Sequence, residues 1–275
     1  MFSRPSNGTS TLSAVLNNEH GVACERNAES AAVKREQDPS ATSALTYASS
    51  SMDSKRIGGT AAVAGGGLAL VGNLLHPRYG DDEDFEIYRK IATSDRYLVA
   101  DFVLLVALVL VVAGVVSIAR HLGPDPLSEH GRLFAVIGGT IAIAQLGLET
   151  FALKHQAEVF AGASPEDQNG SFWAANALDH LNNALFSTWT AVFLGLTPVL
   201  LGIAALRARV FAVWINVIAV LGGALCVVVG SVNLGRDDQT TLDVPFLIGS
   251  LLVTAWVVAA GLTMLRGDPT EATSR

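Results

Sequence analysis

Charge is what this 275-residue chain has little of. Asp, Glu, Lys and Arg make up 16% of it and the mean hydropathy is +0.41, whereas soluble domains carry about 25% charged residues. A soluble globular domain is thereby excluded. Cysteine is nearly absent: Cys24 sits in a polar stretch and Cys226 in an apolar run, which leaves no disulfide framework and no cysteine metal site, and Cys226 reads as a small core residue. Basic charge is in deficit, with 18 Lys and Arg against 25 Asp and Glu for a net charge of -7. A nucleic-acid partner, which needs a basic surface to neutralise phosphates, is therefore not expected. The first 56 residues hold no hydrophobic core of the length that a cleaved signal requires.

What the chain has instead is apolar length. Six segments reach the roughly 20 residues needed to cross a hydrocarbon core as a helix: 57–75, 98–119, 133–153, 184–206, 210–232 and 244–265. The fold class expected is all-α, a six-transmembrane-helix bundle over 57–265 in the lipid bilayer of the cell membrane. It is preceded by a disordered polar tail over 1–56 and followed by a short polar tail over 266–275. Met52 opens the phrase that leads into the first apolar run and is a candidate start. Orientation follows from Lys and Arg. With both ends on one side, that side holds twelve and the other six, so both termini are expected in the cytoplasm. The connection His76 to Arg96, with its run of Asp81, Asp82, Glu83, Asp84 and Glu86, then reads as a solvated external loop. It lacks the Gly and Glu positions of an EF-hand.

Inside the apolar runs, polar residues recur at helical spacing. Asn176, His180, Asn183, Ser187, Thr190 and Thr197 form one stripe, and Gly138, Ala142, Gln145, Glu149, Ala152 and Gln156 form a seam of small and polar residues able to face it. The short turn between the two segments predicts antiparallel neighbours whose external ends meet, bringing Glu149 and His180 to one cavity. In the first segment, small residues four apart at Gly58, Ala62 and Gly66, and at Ala61, Gly65 and Ala69, predict close helix packing.

The polar residues share a depth. Asn73, His76, Asp101, Glu149, Lys154, His155, His180, Asn183, Asn233 and Asp243 all fall at the external ends of their segments. His76, Lys154, His155, Asp179 and Asp243 are near enough to helix ends to reach the interface and are read as structural. Asp101 and Glu149 lie inside apolar runs, where a carboxylate is costly and is paired or functional. The candidate ligand-binding residues are Asp101, Gln145, Glu149, His180, Asn183 and Ser187. Three classes of function fit: binding or transport of a small ligand, cation or proton; an intramembrane enzyme acting on a lipid or isoprenoid by carboxyl acid/base chemistry; or an accessory protein without small-molecule chemistry. A zinc site would draw on His76, His155, His180 and Asp101, but no His-Glu-x-x-His or comparable spacing supports it. A haem would need His155 facing His180, or His121 facing His130. Neither zinc nor haem is expected, and oligomeric state and catalytic residues are left open.

The order of a Gly-rich first helix, an Asp-bearing second helix at Ala100-Asp101-Phe102-Val103-Leu104-Leu105, a third helix with Gln145 and Glu149, and a late Trp-bearing pair resembles small six-helix bacterial membrane proteins of uncharacterised families. The resemblance covers 57–265. It implies an architecture and supplies no catalytic residue.

Overall fold

The structure, a computed structural model, describes residues 39–77, 84–234 and 243–266. The chain divides into two units, 1–53 and 54–275. In the first, the described part is helical from Pro39 onward. Residues 1–38 lie outside those described.

All elements among the described residues are helices. They are α1 (Pro39–Leu75), α2 (Asp84–Thr93), α3 (Asp95–His121), α4 (Pro126–Gly162), α5 (Gln168–Ala208), α6 (Val213–Asn233) and α7 (Asp243–Arg266). Six of them, counting Asp53–Leu75 of α1 and Val244–Arg266 of α7, are long and apolar enough to span a membrane. The chain is an integral membrane protein with an all-α, six-helix transmembrane fold. Large apolar side chains such as Phe102 (58% exposed), Leu221 (59%) and Val228 (57%) point outward. In water this would be a liability, but in lipid it is the surface that solvates the fold.

The helix ends follow local chemistry. Ser94 caps α3 by accepting from the Tyr97 N–H at 3.2 Å. Asp125 and Ser128 form a reciprocal capping box at the start of α4, with Pro126 in the first turn. Helix α5 ends where Arg209 turns left-handed at φ 54°. The small-residue faces of α1 pack as their spacing predicts. A Cβ on Gly65 would meet the Val111 backbone nitrogen of α3 at 2.7 Å, and one on Gly66 would meet the Val258 Cγ2 of α7 at 2.5 Å.

Two features differ from the sequence reading. The acidic connection after His76 contains the amphipathic helix α2, whose Tyr88 and Ile91 are buried against Leu153, Phe160 and Ala175, and whose Phe85 ring stacks on Phe172 at 4.3 Å. Its apolar residues recur every three, a helical period hidden by the carboxylates around them. Lys154 Nζ donates to the carbonyls of Ile91 and Ala92 at 2.8 and 2.7 Å, closing the last turn of α2. The second difference lies in α4 and α5, which contain π-helical turns at Leu148–Leu153 and Thr190–Leu196. Along α4 the buried positions run Gly138, Ala142 and Gln145, as the seam predicts. Beyond the π turn they become Leu153, Ala157 and Phe160, while Ala152 is exposed. The extra residue in the turn rotates the stripe by one position.

Candidate functional site

Five helices enclose a cavity of about 410 Å³. Its wall is apolar, with Leu104, Leu108 and Val111 from α3, Phe186 and Phe193 from α5, and Phe246, Val253 and Val257 from α7. Trp189 and Trp256 also line it, and their indole N–H donors are buried without an acceptor. At one end the lining turns polar, through Asn73 of α1 and His76 just past its end, Gln145 and Glu149 of α4, and Asn182 and Asn183 of α5.

That polar end is a connected cluster. His76 Nε2 lies 3.2 Å from Asp101 Oδ1 and 3.6 Å from Glu149 Oε1. Donor atoms of the three residues all lie within 4.8 Å of one another. Asp101 is fully buried, and neither of its oxygens receives a well-formed hydrogen bond, so His76 is its ionic partner. Glu149 is better held: Gln145 Nε2 donates to its Oε2 at 2.7 Å and the Tyr97 hydroxyl to its Oε1 at 3.4 Å. Gln145 Nε2 also donates to Asn182 Oδ1 at 2.7 Å, tying α4 to α5.

Chain geometry explains how these residues converge. Arg96, in the first turn of α3, donates to the carbonyls of Leu74 and Leu75 at 3.1 and 2.7 Å. It thereby closes the end of α1 and sets where His76 emerges. His76 Nδ1 lies 3.0 Å from the Pro77 carbonyl. A carbonyl only accepts, so Nδ1 carries the proton of that bond and Nε2 is the nitrogen turned to the carboxylates. Burial disfavours the His76 cation, but the close approach of the Asp101 and Glu149 carboxylates outweighs it and lifts the imidazole to about 10. Glu149 occupies the π turn of α4, an irregularity frequent where a side chain is re-aimed for function.

Of the residues singled out in the sequence, Asp101, Gln145 and Glu149 meet in this cluster, and Asn183 lines the cavity while donating to Asp179 at 3.3 Å. Ser187 is buried but bonds back to the Asn183 carbonyl at 2.9 Å, on the side where Gly230 of α6 passes. His180 is exposed and does not line the cavity. The partner that α5 offers to α4 is Asn182, one position off the stripe through Asn183. Ala175 and Asn182, seven residues apart and both buried, trace the face that packs inward. In sequence, His76 reads as structural, because its position at a helix end suggests contact with the interface, and nothing singles out Tyr97.

The fold and the site together define a multi-pass membrane protein with an acidic and imidazole-bearing pocket at one end of its helix bundle. The chain belongs to the family defined by a domain of unknown function, DUF4386, whose model matches residues 57–261. No curated protein and no solved structure matches it.

Proposed function

We propose that this protein binds a small amphiphilic ligand within its helix bundle, the apolar body against the cavity wall and the polar head beside His76, Glu149 and Asn182. The observation that carries the reading is a cavity of about 410 Å³ with an apolar wall and polar groups gathered at one end. Sites for small molecules have this size and this division of labour. The unpartnered indole N–H groups of Trp189 and Trp256 on the wall favour a ligand that also carries an acceptor. Passage of a cation or proton is the less favoured form. Its relay would need ionisable groups along the bundle, and beyond His76 and Glu149 the lining side chains are apolar, amide, hydroxyl or indole. In the orientation that the Lys and Arg distribution supports, termini in the cytoplasm of a cell-membrane protein, the polar end faces outward. An intramembrane enzyme acting on a lipid is the second reading, favoured by the two carboxylates and one imidazole standing where the head of such a substrate would lie.

Bromine quenching of tryptophan tests the binding. In a Trp173→Phe/Trp214→Phe background, which removes the two exposed indoles, 12-bromododecanol is expected to quench Trp189 and Trp256 saturably. Filling the wall with Val111→Phe/Val253→Phe should weaken that quenching at least tenfold. Quenching that rises linearly and equally in both proteins, as simple partition into lipid gives, refutes the reading.

A further inference from the structure

We propose that His76, Asp101 and Glu149 form a three-ligand site for a divalent transition metal of the zinc or manganese kind, with its remaining coordination positions open to the cavity. Five observations support it. The first is spacing. Donors bound to one such ion at about 2.0–2.2 Å stand roughly 3–3.6 Å from one another in tetrahedral or octahedral array. His76 Nε2 already lies at 3.2 Å from Asp101 Oδ1 and 3.6 Å from Glu149 Oε1, and all three donors fall within 4.8 Å.

The second is the state of Asp101. This carboxylate is fully buried, aimed at the His76 nitrogen, and receives no well-formed hydrogen bond on either oxygen. A buried carboxylate so poorly satisfied is costly unless a cation completes its surroundings.

The third is the orientation of the imidazole. The Nδ1 contact with the Pro77 carbonyl leaves Nε2 as the nitrogen turned to the two carboxylates, so that a metal replacing its proton would be bound there. A histidine that ligates a metal typically donates its other ring N–H to a carbonyl in this way. The fourth is outer support. Glu149 is held by Gln145 and Tyr97, and Gln145 also bonds Asn182, which holds the ligand through a network reaching a third helix.

The fifth is charge. Two carboxylates, Asp101 and Glu149, converge at this end of the bundle, and a divalent ion between them would match that charge. The basic side chains that enter α3 and α4 on either side are committed elsewhere: Arg96 to the carbonyls of Leu74 and Leu75, and Lys154 to those of Ile91 and Ala92 and to Glu158 at 3.3 Å. No short linear motif signals such a site, because its ligands come from three separate helices.

His76 and Glu149 line the cavity while Asp101 stands behind them, so the open positions face the ligand space. Only this last step rests on the amphiphile reading: the ion would meet the polar head, or a water beside it, at the polar end. The full-length protein in detergent is stripped with chelator, then titrated separately with zinc, manganese and magnesium chlorides, with bound metal counted after desalting and thermal unfolding followed. One zinc or manganese per chain is expected, with a raised unfolding temperature and little response to magnesium. Asp101→Asn and Glu149→Gln, which preserve shape, should each weaken binding at least 100-fold while the stripped proteins unfold cooperatively. If a variant fails to fold, His76→Gln serves as the third test of the same ligand set. Metal at background in the parent protein, or stoichiometric binding that survives all three substitutions, overturns the proposal. The two readings fail separately. Saturable quenching by 12-bromododecanol without metal binding removes the metal site alone, and metal binding without saturable quenching removes the amphiphile alone.

Discussion

Substituting Gly114 tests whether the approach of α1 to α3 positions the site. A Cβ at Gly114 would stand 2.6 Å from the Ala62 Cα and 2.7 Å from its nitrogen, where ordinary contact is 3.4–4 Å. Backbone cannot rotate away as a side chain does, so Gly114→Ala must part the two helices by about 1 Å. Overpacking of this kind costs about 1–3 kcal/mol, against a gain of about 1 kcal/mol because alanine is the better helix former. Gly67, on the exposed face of α1, supplies the control: nothing lies within 4 Å of a Cβ there, so Gly67→Ala keeps the propensity gain without the clash. The difference in unfolding free energy between the two variants therefore isolates the clash, and about 1–3 kcal/mol is expected in denaturant titration of the detergent-solubilised protein. The separation also draws His76, just past the end of α1, from Asp101 of α3, so zinc affinity should fall in Gly114→Ala and hold in Gly67→Ala. Equal stabilities for the two variants would refute the close crossing, and with it the account of how His76 reaches Asp101.

Asp101→Asn, measured in chelator, is expected to stabilise the protein by about 1–3 kcal/mol, because it turns a cluster of two carboxylates and one imidazolium into a balanced pair. A loss of stability would show that the carboxylate is satisfied as it stands. Gln145→Leu removes the donor to both Glu149 and Asn182; a loss of about 1–3 kcal/mol and a 10–100-fold weaker zinc affinity are expected by titration, and unchanged affinity would remove Gln145 from the support of the site. For orientation, a cysteine at position 84 is expected to react with an impermeant probe in intact cells while one at position 208 is protected, and the reverse would turn the polar end to the cytoplasm.

Much of the architecture was legible in the sequence, for a physical reason. A segment that must satisfy its own backbone in lipid has to be a helix of about 20 apolar residues, so hydropathy alone located all six spans, and small residues four apart marked the packing faces of α1. The cost of a carboxylate in an apolar run likewise drew attention to Asp101 and Glu149, and the seam through Gln145 was a true face of α4 up to that point. What followed was decided by tertiary structure. The π turn at Leu148–Leu153 shifts the buried stripe to Leu153, Ala157 and Phe160, and no rule of regular helical spacing anticipates an inserted residue. On α5, two adjacent asparagines are equally polar in sequence, and packing against α4 turns Asn182 inward and leaves His180 exposed. His76 follows the end of α1, where sequence suggests contact with the interface. Arg96, by closing that helix end, directs it between two carboxylates from helices distant in the chain. Spans follow from transfer energy, which each segment carries by itself, whereas a site built from three helices depends on their rotation and crossing, which exist only once the helices pack.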